Sequence, residues 1–131
     1  MPKYQIKNIA IGSLKPHEEI CPLHLKNLRA EIKKDGCVKD PIIADKNTLV
    51  ILDGHHRWNS LLSLGAAFCP CCLVDYQSGE IGVACWRAGE KISKKEVLFA
   101  GLSGKLLPQK TSRHLIPDRP VGLNIGLADL R

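Results

Sequence analysis

An apolar run, Thr48-Leu49-Val50-Ile51-Leu52, leads straight into Asp53-Gly54-His55-His56-Arg57, and Trp58, Leu61, Leu62 and Gly65 follow at helical spacing. This strand–turn–helix constrains the fold more than any other stretch. The β-rich run reads as a buried strand. Gly54 allows the backbone to approach a ligand closely, and Gly65 suits the residue that stops a short helix. A helix that begins at a strand end presents unpaired N–H groups and the positive end of its dipole. That combination binds anions, and His55, His56 and Arg57 add donors at the same place. Asp53 at the mouth suits a divalent cation such as Mg²⁺, or the positioning of a hydroxyl or imidazole. A plain helix cap, with Asp53 as N-cap and surface histidines, accounts for less: a cap needs no His-His-Arg run. The turn therefore reads as a phosphate-handling site.

The rest of the chain supplies strands and helices in mixed order. Tyr4 to Ile11 reads as a strand and Leu14 to Glu19 as a loop, since Pro16 pushes Lys15 toward extended geometry. Pro22 suits the first helical position, Leu25, Leu28 and Ile32 share one face, and Gly36 suits the helix stop. Pro41 to Ala44 and Thr48 to Leu52 form a hairpin around Asp45-Lys46-Asn47. Leu73 to Tyr76 is a further buried strand. Ser93-Lys94-Lys95-Glu96 is a capping box, and its helix runs through Val97, Leu98 and Leu102 to Gly104. Pro108 to His114 reads as a polar loop, and alternation of Val121, Leu123, Ile125 and Leu127 suggests a terminal strand. The expectation is an α+β fold: a single domain over 1–131 with a mixed β-sheet flanked by helices.

Composition narrows the function. The net charge is +6 with a pI near 9.1, which suits either nonspecific nucleic-acid binding or a pocket for small phosphate ligands. Lysines and arginines are spread along the chain, and aromatic residues are only 5%, too few for a base-stacking platform. Small phosphates are favoured. Among the six cysteines, Cys69, Cys71, Cys72 and Cys85 lie close together. Cys71 and its neighbours read as small buried residues of a strand; a zinc site or a disulfide is the competing reading. With no bilayer-length apolar run and no signal-like N-terminus, the expected location is cytoplasmic.

Four motifs in order then resemble one superfamily: Leu14-Lys15-Pro16-His17-Glu18-Glu19, Pro41-Ile42-Ile43, Ile51 to Arg57, and Lys110-Thr111-Ser112-Arg113-His114. The chain is similar to the ParB/sulfiredoxin superfamily and, within it, to the archaeal free serine kinases. Sulfiredoxins carry a reactive cysteine where this chain has His55, so their thiol chemistry is not expected. Chromosome-partitioning ParB proteins carry a different turn and a further helix-turn-helix region. The better-known kinases carry segments beyond the shared domain.

The resemblance implies phosphoryl transfer from ATP or ADP, with Mg²⁺, to the hydroxyl of free L-serine, giving O-phosphoserine for cysteine synthesis. Glu18, with Glu19 beside it, is implied as the base that takes the hydroxyl proton; the bare alternative is a solvated acidic loop ahead of a helix. His55, His56, Arg57, Arg113 and His114 would supply donors to the phosphates. His56, Trp86, Lys110, Thr111 and Ser112 would line the serine pocket, though Trp86 reads equally as core. The competing function is a ParB-like regulator that binds nucleotide or DNA without kinase activity. Oligomeric state is left open, and a membrane partner is not expected.

Overall fold

Every residue of Ile42–Asp45 is buried, so the sheet that contains it must be covered on both faces. The computed structural model describes residues 4–86, 89–109 and 111–131, and it shows that cover. Strand β1 (Gln5–Ala10), β3 (Ile42–Asp45), β4 (Ile51–Asp53) and β5 (Phe68–Val74) form a four-stranded sheet in the order β1-β5-β3-β4. The β3/β5 pair is parallel and the other two are antiparallel, so the sheet is mixed. Helices α1 (Pro22–Asp35) and α2 (His55–Ser63) cover one face through Ile32 and Leu61, which pack with Ile42, Ala44, Ile51, Cys69 and Cys71. Helix α3 (Lys94–Ser103) contributes Val97 to the other core, with Ile43, Val50, Leu52, Cys72, Val74 and Tyr76. The α+β expectation is met.

Local chemistry explains the element ends. Pro22 opens α1, and Gly36 closes it at φ 70°. Ser93 caps α3 by accepting the Glu96 N–H, as the capping box requires. The β3–β4 connection is held by the Asp45 carboxylate, which accepts from the Thr48 N–H, the Thr48 hydroxyl and the Tyr76 N–H.

The cysteine-rich stretch is the middle of β5. Cys69 and Cys71 face one core and Cys72 the other, so the Cys69/Cys72 pair points to opposite sides of the sheet. Cys21, Cys37, Cys69, Cys71 and Cys72 are free thiols. Pro70 is tolerated because β3 begins to pair with β5 only at Cys71, leaving Pro70 with β1 as its one neighbour.

Three segments depart from expectation. Strand β5 begins at Phe68, five residues before the predicted Leu73, and takes in the cysteines that read as buried strand residues. The stretch predicted as a polar loop contains a strand, β7 (Arg113–Leu115), paired with β6 (Gly82–Ala84). The tail holds only the two residues of β8 (Ile125–Gly126), paired with β2 (Cys37–Val38), before a 3-10 turn at Leu127–Leu130. Alternation there was shallow, and the tail is instead anchored by Leu130, which is fully buried in the α1/α2 core.

Gly101 shows how tightly α3 lies on the sheet. A Cβ there would stand 2.6 Å from Val50 Cγ1. Replacing Gly101 with Ala should therefore lower stability by about 1–3 kcal/mol in urea melts despite the better helix propensity of alanine. An unchanged or raised midpoint contradicts this packing.

Candidate active site

Strand β4 delivers Asp53 to the edge of a cavity of about 800 Å³, and the chain turns there into α2. Gly54 makes the turn at φ 101°, and a Cβ on it would stand 2.7 Å from Ile42 Cγ2. Only glycine fits both the angle and the space. The first turn of α2 therefore opens directly onto the cavity. Asp53, not an N-cap, ends the strand, and Gly54 occupies the cap position with no side-chain bond. The Asp53 carboxylate is about half exposed and pairs with Arg119 at 2.6 Å.

The loop before α1 forms the facing wall. His17 is fully buried there. Its backbone N–H donates to His55 Nε2 (3.1 Å), its Nδ1 lies 2.6 Å from the Ile51 carbonyl oxygen, and its Nε2 lies 2.7 Å from Ser112 Oγ. A carbonyl can only accept, so Nδ1 carries the proton. Glu18, next in sequence, turns its carboxylate toward the cavity with 11% of the side chain exposed. Its Oε1 accepts the Thr111 N–H at 2.5 Å, and its Oε2 lies 3.2 Å from Ser112 Oγ. Burial raises its proton affinity above that of an ordinary glutamate, with the backbone N–H groups of Thr111 and Ser112 opposing.

Burial also keeps the imidazoles neutral. His17 and His114 are pulled down to about 4, and His55 falls well below its ordinary value, with neighbouring imidazoles adding to the effect at His55 and His114. His56 shifts the same way, from burial and from His24, whose ring stacks on it at 4.0 Å. Positive charge in the cavity therefore comes from Arg57, Arg113 and Arg119.

The architecture matches solved proteins closely. A free serine kinase in complex with AMP superposes with a TM-score of 0.85 over 98% of this chain and 93% of the other, at 18% identity. The chain adopts the free serine kinase fold. By sequence it is 41% identical over 86 residues to a "ParB-like protein" of Sulfolobus acidocaldarius, covering 66% of this chain and 43% of that protein. It is 35% identical over 82 residues to an "ATP-dependent L-serine kinase" of Staphylothermus marinus, covering 60% and 32%. It is 30% identical over 109 residues to an "ADP-dependent L-serine kinase" of Thermococcus kodakarensis, covering 75% and 45%. The chain thus spans less than half the length of these relatives. No protein-family model matches it.

On the free serine kinase fold, the expected residues converge with some changes of part. Glu18, Glu19, Asp53, Gly54, His55, His56, Arg57, Trp86, Ser112, Arg113 and His114 all line the one cavity. Trp86 is 58% exposed, which removes it from the core, and Arg113 lies over its ring at 4.9 Å. Thr111 supports Glu18 through its backbone. Lys110 lies outside the described residues.

Five of these residues have polar atoms already engaged within the protein. His55 and His56 turn Nε2 inward, to the N–H of His17 and of Cys21, so only their Nδ1 edges remain for a ligand. His114 places Nε2 2.8 Å from the Tyr76 hydroxyl, and its Nδ1 is buried, so its ring forms part of the cavity wall. Arg57 spends one donor on the Pro41 carbonyl. Ser112 is buried with its hydroxyl between His17 and Glu18, not free for substrate.

Sequence reasoning passed over His17, Tyr76, His24 and Arg119. The pattern held one pointer: His17 is a ring-bearing residue locked between Pro16 and Glu18, inside a motif singled out for its neighbour.

The buried neutral histidines set a pH dependence. The unfolded chain protonates them near 6.5, whereas the folded chain holds His17 neutral down to about 4. The unfolded state thus binds more protons in that window, and stability falls as pH drops from 6.5 to 4. His17 alone is worth roughly 3 kcal/mol across it. Melting temperature against pH should show this fall, and His17→Asn should flatten it. Equal slopes for the two proteins contradict the neutral buried imidazole.

Proposed function

We propose that this cavity transfers a phosphoryl group from ATP or ADP to the hydroxyl of free L-serine, giving O-phospho-L-serine. The observation that carries the reading is the pairing across one cavity of a basic carboxylate, Glu18, with an anion-binding helix start at Gly54 to Arg57. Phosphoryl transfer needs these two things: a group to take the acceptor's proton, and donors where charge builds on the phosphate. The names of the two L-serine kinase relatives support serine as acceptor, and the nucleotide in the free serine kinase structure supports the donor class.

Each side chain has a part in this reading. Glu18 accepts the hydroxyl proton, with Glu19 at its side. N–H groups at the start of α2 and the Nδ1–H edges of His55 and His56 face the phosphates. Arg113 and Arg119 neutralise them, and Arg57 does so with its remaining donors. Trp86 forms a wall against which the amino acid sits, and Thr111 holds the Glu18 carboxylate through its backbone N–H.

Asp53 suits Mg²⁺ by donor chemistry. That ion commonly takes one or two carboxylates with the nucleotide's phosphates completing its shell, and Asp53 is half exposed with one oxygen paired to Arg119. Bound there, Mg²⁺ would screen the phosphate charge.

Incubation with L-serine, Mg²⁺ and ATP or ADP should yield phosphoserine by ³¹P NMR, and Glu18→Gln should lower kcat by about 10²–10⁴-fold. No product with either nucleotide removes the reading, and full activity in the variant removes Glu18 as base.

The 41% identity to a ParB-like protein and the net charge of +6 favour one second reading: a nucleotide- or DNA-binding regulator without kinase activity. Duplex DNA binding that falls steeply with log salt would support it. No helix among the described residues is long and apolar enough to cross a membrane.

A further inference from the structure

The hydroxyl of Ser112 stands between two acceptors and has one proton. His17 Nε2 is 2.7 Å from Ser112 Oγ on one side, and Glu18 Oε2 is 3.2 Å away on the other. His17 cannot donate from Nε2 while neutral, because its single ring proton is fixed on Nδ1 by the Ile51 carbonyl at 2.6 Å. A carboxylate Glu18 has nothing to donate either. With Glu18 ionised, one of the two contacts must therefore lack a hydrogen. The shorter contact, to His17, is the one that holds it. An oxygen lone pair of Ser112 then faces Glu18.

We propose that His17 is a positioning residue that draws the Ser112 proton away from Glu18, leaving Ser112 Oγ as an acceptor for the proton Glu18 takes up. Before proton uptake, the carboxylate accepts the N–H groups of Thr111 and Ser112 but receives no hydrogen bond from the Ser112 hydroxyl, which keeps it a stronger base. After uptake, the Glu18 O–H donates to Ser112 Oγ, Ser112 O–H donates to His17 Nε2, and His17 Nδ1–H donates to Ile51 O. Every contact in the chain then has one hydrogen. The arrangement thus favours the protonated product of the base step over the ionised start.

This rests on the kinase reading for its use, and it deepens that reading at the same site. When Glu18 takes the proton of a serine hydroxyl, the freed oxygen pair forms the new bond to the terminal phosphorus. The bond from that phosphorus to the bridging oxygen breaks, with its pair leaving on the nucleotide. The proton stays on Glu18, held by Ser112. Nothing is oxidised or reduced.

Other charged and titratable groups act on Glu18 from around the cavity. Asp53 on β4 raises its proton affinity by its negative charge. His55 and His56 on α2 and His114 on β7 are kept neutral by burial. Arg113 and Arg119 line the same cavity, as does Glu19 beside it in sequence. None of these contacts the Ser112 hydroxyl, so substitution at His17 isolates its orientation.

The test is a ¹³C NMR titration of the Glu18 side-chain carboxyl in the unliganded protein. Asn at residue 17 can keep the bond to Ile51 but cannot reach Ser112, so the hydroxyl turns to Glu18 and stabilises the carboxylate. Gln can reach Ser112 and accept from it. His17→Asn should lower the Glu18 midpoint by about one pH unit, and His17→Gln should leave it within a few tenths. Ser112→Ala should leave the midpoint unchanged or lower, since the carboxylate loses no donor. A purely structural role for His17 moves melting temperature in both variants and leaves the Glu18 midpoint alone, which overturns the proposal. A raised midpoint in Ser112→Ala also overturns it, and that variant stays informative if substitutions at His17 fail to fold. In phosphorylation assays the acid limb of kcat/KM should move with the NMR midpoint. A wild-type protein that makes no phosphoserine, yet shows the predicted midpoints, loses the kinase reading and keeps the hydroxyl assignment.

Discussion

One buried imidazole joins the parts of this protein that have to meet. His17 is fully buried; its ring reaches β4 at Ile51 and the segment entering β7 at Ser112, and its backbone N–H reaches the first residue of α2 at His55. Those partners lie 34, 38 and 95 residues away in sequence. Without that junction, Glu18 would be a glutamate on a surface loop. With it, the carboxylate is fixed opposite a helix start, in a place dry enough to make it basic. A buried polar network of this kind rigidifies the fold around it, and the Ile51 carbonyl fixes the tautomer of His17 within it.

The same burial divides the electrostatic work of the cavity. Imidazoles crowded together and shielded from water lose their charge. They serve as directional hydrogen-bonding groups and as walls. Lasting positive charge is left to arginines, whose guanidinium keeps its proton in any such setting. Arg119 already pairs with Asp53, and Arg113 rests on the Trp86 ring, so both are held at the cavity rim before any phosphate arrives.

Much of this was legible in the sequence, and the failures have physical causes. Gly54 advertised itself, because a glycine between a strand and a His-His-Arg run has few other uses. The capping box at Ser93 and the Pro22/Gly36 ends of α1 were readable since each depends on neighbours within four residues. The strand through Cys69, Pro70 and Cys71 was misjudged at its start because its fitness depends on β1 and β3 alongside it, and proline argues against a strand until the unpaired side is known. The pairing of β6 with β7 is a long-range fact with no local trace. At the site, residue types pointed to most of the cavity's polar lining but missed His24 and Arg119, and they did not give the direction of each nitrogen. His55 and His114 looked like phosphate donors in a list of residues. In three dimensions their Nε2 atoms are committed to His17 and Tyr76.

The central claim is that Glu18 and the start of α2 face the two ends of one reacting system. A crystal structure of the protein with L-serine and a nonhydrolysable ATP analogue tests it most directly. The account predicts terminal phosphates against the N–H groups of the first α2 turn and the serine hydroxyl within hydrogen-bond distance of the Glu18 carboxylate. Phosphates bound away from Gly54, or a serine hydroxyl turned away from Glu18, would contradict it.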